Sequence, residues 1–213
     1  MADVLQRLRK ARVVIVVRAD DASNAVAIAE ALVDGGLVAV ELTYTTPGAG
    51  AAIEKARSRL DDRILLGAGT LTTPEQVGEA VAAGADFLVS PHLNRGLLNT
   101  MLESGRLALP GVLTPSEVAA AFADGAEAVK LFPASSGGIA HLQALFGPFP
   151  EIKVVPTGGI APEDVGAWLE AGAWAVGVGG KLAPRRLEND ESRSELVKRS
   201  RSLCAQLRQD STR

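Results

Sequence analysis

Asp124-Gly125-Ala126-Glu127-Ala128-Val129-Lys130-Leu131-Phe132-Pro133 decides the reading of the fold. Gly125 closes a helical segment, because a glycine past the last turn takes the left-handed conformation that turns the chain back. Residues 128–132 then form a short, almost unbroken apolar run. A run without polar alternation is the pattern of a strand buried on both faces, as in a parallel sheet. The same helix-ending punctuation stands at Asp34-Gly35-Gly36, Ala83-Gly84-Ala85 and Ala171-Gly172-Ala173, a weak internal repeat. Further apolar runs at 13–17, 39–44, 64–67, 87–90, 107–113, 153–156 and 175–178 bring the set to eight.

Helix-start signals lie between the runs. Asp21-Ala22-Ser23-Asn24 and Thr72-Thr73-Pro74-Glu75 precede two helical segments, and Thr114-Pro115-Ser116-Glu117 is a capping pattern with Pro at the first helical position. Ala161-Pro162-Glu163-Asp164 is read the same way. Eight strand–helix units without a linker or composition break predict an α/β fold, a (β/α)8 TIM barrel forming a single domain over residues 1–213. An N-terminal helical cap opens it, and a helix around Leu196, Leu203 and Leu207 closes it. Residues 210–213 are expected to fray. A doubly wound open sheet carries the same local signals and is the alternative.

At 213 residues the chain suits one well-packed domain. Hydrophobic residues make up 47% but aromatics only 4%, so Ala, Val, Leu and Ile must build the core. The net charge of −3 is mixed in sign, and no basic run interleaves with aromatics, which argues against nucleic acid as a partner. No apolar stretch approaches the roughly 20 residues that span a bilayer, and the charged N-terminus lacks a signal-peptide core. Cys204 is the single cysteine, which excludes an intramolecular disulfide and fits an inert helix position. A cytoplasmic protein without a membrane partner is expected.

Lysine is rare: Lys10, Lys55, Lys130, Lys153, Lys181 and Lys198 are all there are. Lys130 lies inside an apolar run, where an ammonium is costly unless a site receives it. Desolvation disfavours the charged form of an amine and leaves a nucleophile, the requirement for Schiff-base chemistry. The alternatives are a side chain that snorkels to solvent or a structural ion pair. Glu41 in Val38-Ala39-Val40-Glu41-Leu42 has the same kind of setting. Opposite charges on two strands of a barrel suggest an acid–base pair with an amine, or else a buried structural pair of little net stability. Arg18 ends the first run.

Catalytic groups of such a barrel come from the C-terminal strand ends, and the loops after strands seven and eight form a recurring phosphate site. Pro156-Thr157-Gly158-Gly159-Ile160 and Val178-Gly179-Gly180-Lys181 follow those strands. Their glycines let backbone N–H groups approach an oxyanion. Gly67-Ala68-Gly69-Thr70 ends the third run with two glycines and a hydroxyl. His92 and His141, the only histidines, lack carboxylate or cysteine partners at ligand spacing, so no metal site is expected and both are read as polar loop residues. Trp168 and Trp174 are expected to pack against the barrel.

Glu41-Leu42-Thr43, Gly67-Ala68-Gly69-Thr70, Ser90-Pro91-His92, Pro110-Gly111, Val129-Lys130-Leu131-Phe132-Pro133, Gly147-Pro148-Phe149 and Pro156-Thr157-Gly158-Gly159-Ile160 fall in a telling order and spacing. Together they resemble the 2-keto-3-deoxy-6-phosphogluconate aldolases. That family includes the 4-hydroxy-2-oxoglutarate and 2-keto-3-deoxy-6-phosphogalactonate aldolases. The resemblance covers residues 13–182. It implies a class I aldolase of carbohydrate metabolism (the Entner–Doudoroff route) on a (β/α)8 barrel, a homotrimer that needs no cofactor or metal. Lys130 would then be the Schiff-base lysine and Glu41 the general acid/base. Thr70 and Thr157 would bind the pyruvyl part, Phe132 and Pro91 would line the pocket, and Arg18 would lie near the substrate. Gly158, Gly159, Gly179 and Gly180 would hold the phosphate.

Two positions depart from the best-known branch. Thr45 replaces an arginine that grips the substrate carboxylate, and Lys181 replaces a serine after the last Gly-Gly. The implied reaction cleaves a 2-keto-3-deoxy sugar acid phosphate to pyruvate and glyceraldehyde 3-phosphate, or 4-hydroxy-2-oxoglutarate to pyruvate and glyoxylate. A phosphosugar isomerase or thiamin-phosphate-synthase-like barrel would share the glycine loops without needing a lysine in the sixth strand. A non-catalytic phosphate-binding barrel would use Lys130 only as a charge partner.

Overall fold

The computed structural model describes residues 2–210. From the N-terminus the chain forms α1 (Ala2–Ala11), β1 (Val13–Val17), α2 (Ala22–Asp34), β2 (Ala39–Thr43), α3 (Ala49–Leu60) and β3 (Leu65–Gly69). There follow α4 (Pro74–Ala82), β4 (Phe87–Val89), α5 (Arg95–Glu103), β5 (Leu107–Leu109), β6 (Gly111–Val112) and α6 (Pro115–Ala123). The last part comprises β7 (Val129–Leu131), α7 (Gly138–Phe146), β8 (Val154–Pro156), α8 (Val165–Glu170), β9 (Val176–Val178) and α9 (Asp190–Asp210). The expectation for residues 211–213 lies outside the described residues.

Helices α2, α4, α5 and α6 start where a side chain can take the first free amides. Asp21 accepts from the Asn24 N–H ahead of α2. Thr73 with Gln76, and Thr114 with Glu117, form reciprocal capping boxes ahead of α4 and α6. The expectation at Ala161 is corrected: its methyl group cannot cap, and Pro162–Asp164 make a 3-10 turn before α8 instead. The repeated glycines do turn the chain, with Gly36, Gly84, Gly125 and Gly172 at φ between 93 and 103°.

Every strand pair is parallel. One sheet runs β5-β4-β3-β2-β1-β9 and the other β6-β7-β8, so the last strand lies beside the first. The run at 107–113 is split because Pro110 has no N–H to give to a ladder. Its carbonyl still accepts from the Lys130 N–H at 2.9 Å. At the other gap between the sheets Thr157 bridges Gly177, and the Trp174 N–H reaches the Val154 carbonyl at 2.8 Å.

Strand residues alternate between two apolar clusters, as the period-2 geometry requires. Ile15, Val17, Val40, Leu42, Leu66 and Ala68 join the larger cluster together with helix residues such as Ile28, Leu32 and Ile53. Val14, Ala39, Leu65, Phe87, Leu107 and Ala128 form a second cluster on the opposite face, which Leu5 and Leu8 of α1 complete. Trp174 secures α1 by donating Nε1–H to the Leu5 carbonyl at 3.0 Å, while Trp168 packs in the larger cluster. Helix α9 lies on α2 closely enough that a Cβ at Gly35 would collide with Ser200. Cys204 is buried on that helix, and burial pushes its thiol pKa up.

No helix among the described residues is long and apolar enough to cross a membrane. His141 is no loop residue: it sits on α7, where its Nε2 lies 2.7 Å from the Leu113 carbonyl.

Candidate active site

Along β2, β3 and β7 the face that carries the second apolar cluster gives way, within one further repeat, to charged side chains or glycines. Ala128 is followed two residues later by Lys130, Ala39 by Glu41, and Leu65 by Gly67 and Gly69. Within the first sheet register aligns Val16 with Glu41 and Glu41 with Gly67, and within the second it aligns Lys130 with Val155. Lys130 and Glu41 come from different sheets, yet they meet across the interior with Nζ 3.4 Å from Oε1. Both are almost fully buried, at 5% and 3% exposure. The separation is at the long end for a hydrogen bond, as is common for catalytic groups before a ligand tightens them.

Glycines make room for this pair and for its surroundings. A Cβ at Gly69 would collide with the Glu41 carboxylate, one at Gly67 with the Phe87 ring, and one at Gly177 with the Thr157 hydroxyl. The third strand thus lacks side chains at the two inward positions where its neighbours need the space. Thr70, next in sequence, sits at φ 57°, a left-handed conformation that β-branched residues rarely adopt. Such strain concentrates at sites where the surrounding structure imposes it.

The cavity above Lys130 has a volume of about 400 Å³, within the range typical of small-molecule sites. Arg18, Thr70, Pro91, Lys130, Phe132, Thr157, Gly158, Gly159, Gly179, Gly180 and Lys181 all line it. Most of the residues singled out from the sequence therefore share one cavity wall. The two exceptions are Glu41 and Thr45. Glu41 meets the wall residue Lys130 at 3.4 Å. Thr45 lies beyond the end of β2, exposed, with its hydroxyl 3.0 Å from that of Thr43. Val16, Ile160, Ala183 and Arg185 complete the wall; sequence reasoning missed them. The three apolar residues carry no distinguishing signal in a chain rich in aliphatics. Arg185 could have been noticed as a basic residue shortly after the last Gly-Gly.

The mouth is knit together through main-chain bonds. Thr157 N–H donates to the Leu131 carbonyl at 2.9 Å, Ala134 N–H to that of Thr157 at 2.8 Å, and Ser135 N–H to that of Gly158 at 3.1 Å. Gly158 and Gly159 have φ of 100 and 82°, so L residues would be strained there. Nothing lies within 4 Å of a Cβ built at Gly180, so packing does not demand glycine at that position. Phe132 is 36% exposed at the rim, and its ring centroid lies 5.4 Å from Lys130 Nζ. Ser90 is buried, its hydroxyl donating to the His92 carbonyl at 2.9 Å, which shapes the turn that presents Pro91. Among the described residues no group of three or more His, Cys, Asp or Glu is placed to hold a metal.

Comparison with known proteins gives a consistent result. The model of the KDPG and KHG aldolase family matches residues 4–198. A 2-dehydro-3-deoxy-phosphogluconate aldolase of Haemophilus influenzae is 34% identical over 81% of this chain and 85% of the relative. A KHG/KDPG aldolase of Escherichia coli K12 is 37% identical over 72% of this chain and 75% of its own. The KDPG aldolase of Legionella pneumophila, solved with pyruvate captured at low pH as a covalent carbinolamine intermediate, superposes with a TM-score of 0.80. It is 34% identical, and the match covers 90% of this chain and 93% of that one.

Proposed function

The chain belongs to the KDPG and KHG aldolase family, and from that premise we propose a Schiff-base aldolase whose reacting amine is Lys130 and whose acid/base is Glu41. Its substrate is 2-keto-3-deoxy-6-phosphogluconate, cleaved to pyruvate and glyceraldehyde 3-phosphate. 4-Hydroxy-2-oxoglutarate, cleaved to pyruvate and glyoxylate, is a second substrate. The observation that carries the reading is a lysine on the cavity wall, buried, with a single carboxylate 3.4 Å from its Nζ.

The chemistry follows from that pair. The free amine of Lys130 adds to the C2 ketone, and loss of water leaves an iminium ion that withdraws electrons from C3. Glu41, directly or through a water, takes the proton of the C4 hydroxyl. The C3–C4 electron pair moves toward the iminium, the aldehyde departs, and an enamine remains on Lys130. Proton return to C3 and hydrolysis of the iminium release pyruvate and regenerate the amine. A positioned acid/base of this kind contributes about 10²–10⁴-fold. Thr70 and Thr157 bind the pyruvyl end and Arg18 lies near the substrate, while Pro91 and Phe132 pack on it. Gly158, Gly159, Gly179, Gly180 and Lys181 hold the phosphate. Thr45 is neutral and lies off the cavity wall, so it is the weakest of the substrate contacts expected from sequence. An isomerase or synthase would have no use for a buried strand lysine beside a carboxylate.

For the fold, a closed (β/α)8 barrel of one domain follows if β5 and β6 count as one strand interrupted at Pro110. The Lys130-to-Pro110 bond on one side and the Thr157–Gly177 bridge on the other support that closure. The resemblance to the family supports a cytoplasmic homotrimer.

Borohydride added in the presence of pyruvate tests the mechanism. Peptide mapping should place one reduced pyruvyl group on Lys130. An unmodified protein, or label scattered over Lys10, Lys55, Lys153, Lys181 and Lys198, would overturn it.

A further inference from the structure

Arg185 lines the cavity but belongs to none of the motifs that identify the family resemblance. Its Nε donates to Asp20 Oδ1 at 2.7 Å, and its carbonyl accepts from the Asp20 N–H at 3.0 Å. The loop after β1 is fixed from the other side as well, by the Ala19 N–H donating to the buried Thr46 hydroxyl at 3.0 Å. Arg185 therefore grows from a segment anchored to a loop that is itself anchored. A guanidinium held through Nε keeps both terminal nitrogens, in a planar fork, for an outside acceptor. The adjacent Arg186 is occupied differently, with its Nε 2.5 Å from Glu188.

Charge at the wall points to the acceptor. Arg18, Lys181 and Arg185 line the cavity, and among the described residues the one carboxylate bonded to any of them is Asp20. Across these three cations and Asp20 alone, a surplus of two positive charges remains, which fits a dianion such as a phosphate monoester. Arginine binds phosphate in two-pronged fashion, whereas lysine acts as a hydrated point charge.

We propose that Arg185 is a specificity-determining residue that binds the phosphate monoester of the substrate alongside the glycine loops. The substrate's identity rests on the aldolase reading; the anion site does not.

Three measurements on wild type and Arg185→Gln separate the two ideas. They are calorimetric binding of inorganic phosphate, kcat/KM on the phosphorylated six-carbon substrate and on 4-hydroxy-2-oxoglutarate, and pyruvate–borohydride trapping. Phosphate should bind wild type and bind the variant about tenfold more weakly, a modest factor because the side chain is solvent-facing and screened by salt. The fall in kcat/KM should be about tenfold greater on the phosphorylated substrate, and it should appear in KM. Equal phosphate affinity in the two proteins, no phosphate binding by wild type, or equal loss on both substrates overturns the proposal. If wild type binds phosphate through Arg185 but traps no pyruvate, the Arg185 assignment stands and the aldolase reading falls. Normal trapping with unchanged phosphate affinity means the reverse: the aldolase reading stands and the Arg185 assignment falls.

Discussion

Where four of the strands begin, their inward positions hold Val14, Ala39, Leu65 and Ala128 against Leu5 and Leu8 of α1. Two residues further along the same strands stand Val16, Glu41, Gly67 and Lys130, below an open cavity. The two regions share strands, and along each strand they are separated by one side-chain repeat of about 7 Å. At the first end burial is apolar and stabilising. At the second it encloses a cation and an anion, whose desolvation offsets most of their attraction. On the proposed mechanism, stability and reactivity belong to different levels of one framework, and substitutions should separate them.

The largest effect is expected at Lys130. Lys130→Met should abolish the pyruvate adduct and bring turnover to background. It should also cost about 3 kcal/mol in urea unfolding, because Glu41 is left buried without its partner. Adding Glu41→Leu should recover that stability while activity stays absent. Continued turnover of the single variant would refute the assignment of the amine. A double variant as unstable as the single one would refute the view that the pair serves reactivity rather than the fold.

Glu41→Gln should lower turnover by at least ~10²-fold while pyruvate is still trapped on Lys130. Near-normal turnover would reduce Glu41 to a structural counter-ion. Loss of trapping as well would mean that Glu41 acts earlier, when the amine adds.

A finer test uses two inward glycines of β3, one facing an apolar ring and the other the charged pair. At Gly67 a new methyl would strike the Phe87 ring, and at Gly69 the Glu41 carboxylate. Gly67→Ala should therefore lower stability by about 1–3 kcal/mol, the usual cost of overpacking, with kcat retained in the folded fraction. Gly69→Ala should displace Glu41, lowering kcat with a smaller loss in unfolding midpoint. If the two variants lose stability and kcat in the same proportion, the separation of apolar packing from the proposed chemistry is wrong.

How far the sequence could be read follows the same division. Glu41 and Lys130 stood out because a charge inside an apolar run is costly anywhere, so strand pattern alone sufficed. The glycine loops stood out because their positions relative to the strands are informative. What sequence could not supply was the distance between residues 89 positions apart. Nor could it show that Thr45 lies off the cavity wall. Pro110 was visible, yet its consequence, the break between β5 and β6, depends on which N–H the neighbouring strand requires. Arg185 was hidden for a different reason. It lies in no strand and ends no apolar run, and its place at the mouth comes from its bonds to Asp20. His141 was read as a loop residue for want of ligand partners, and no side-chain cap marks the start of its helix at Gly138.

The smallest effect is expected just outside the site, at the start of α2, two residues after Ala19. Asp21 caps that helix, and its pKa is lowered from 3.8 to about 2. The Asn24 N–H is the largest cause, followed by the Ser23 hydroxyl and the Asn24 side chain. Because the folded value lies below the unfolded one, the carboxylate stabilises the fold fully above about pH 4, and that contribution is lost as pH falls through about 2. Asp21→Ala should therefore lower Tm slightly at neutral pH, and its gap from wild type should close between about pH 4 and pH 2. Asp21→Asn keeps an acceptor oxygen without the charge, so it should resemble wild type at low pH and fall below it only where the carboxylate is ionised. Turnover at neutral pH should change little in either variant, because Arg18 is held through the Ala19–Thr46 and Asp20–Arg185 bonds on its own loop. A pH-independent Tm gap for Asp21→Ala would show that the cap acts through geometry alone. A drop in kcat/KM would show instead that the start of α2 helps to set the position of Arg18, and would join this helix end to the reactive level.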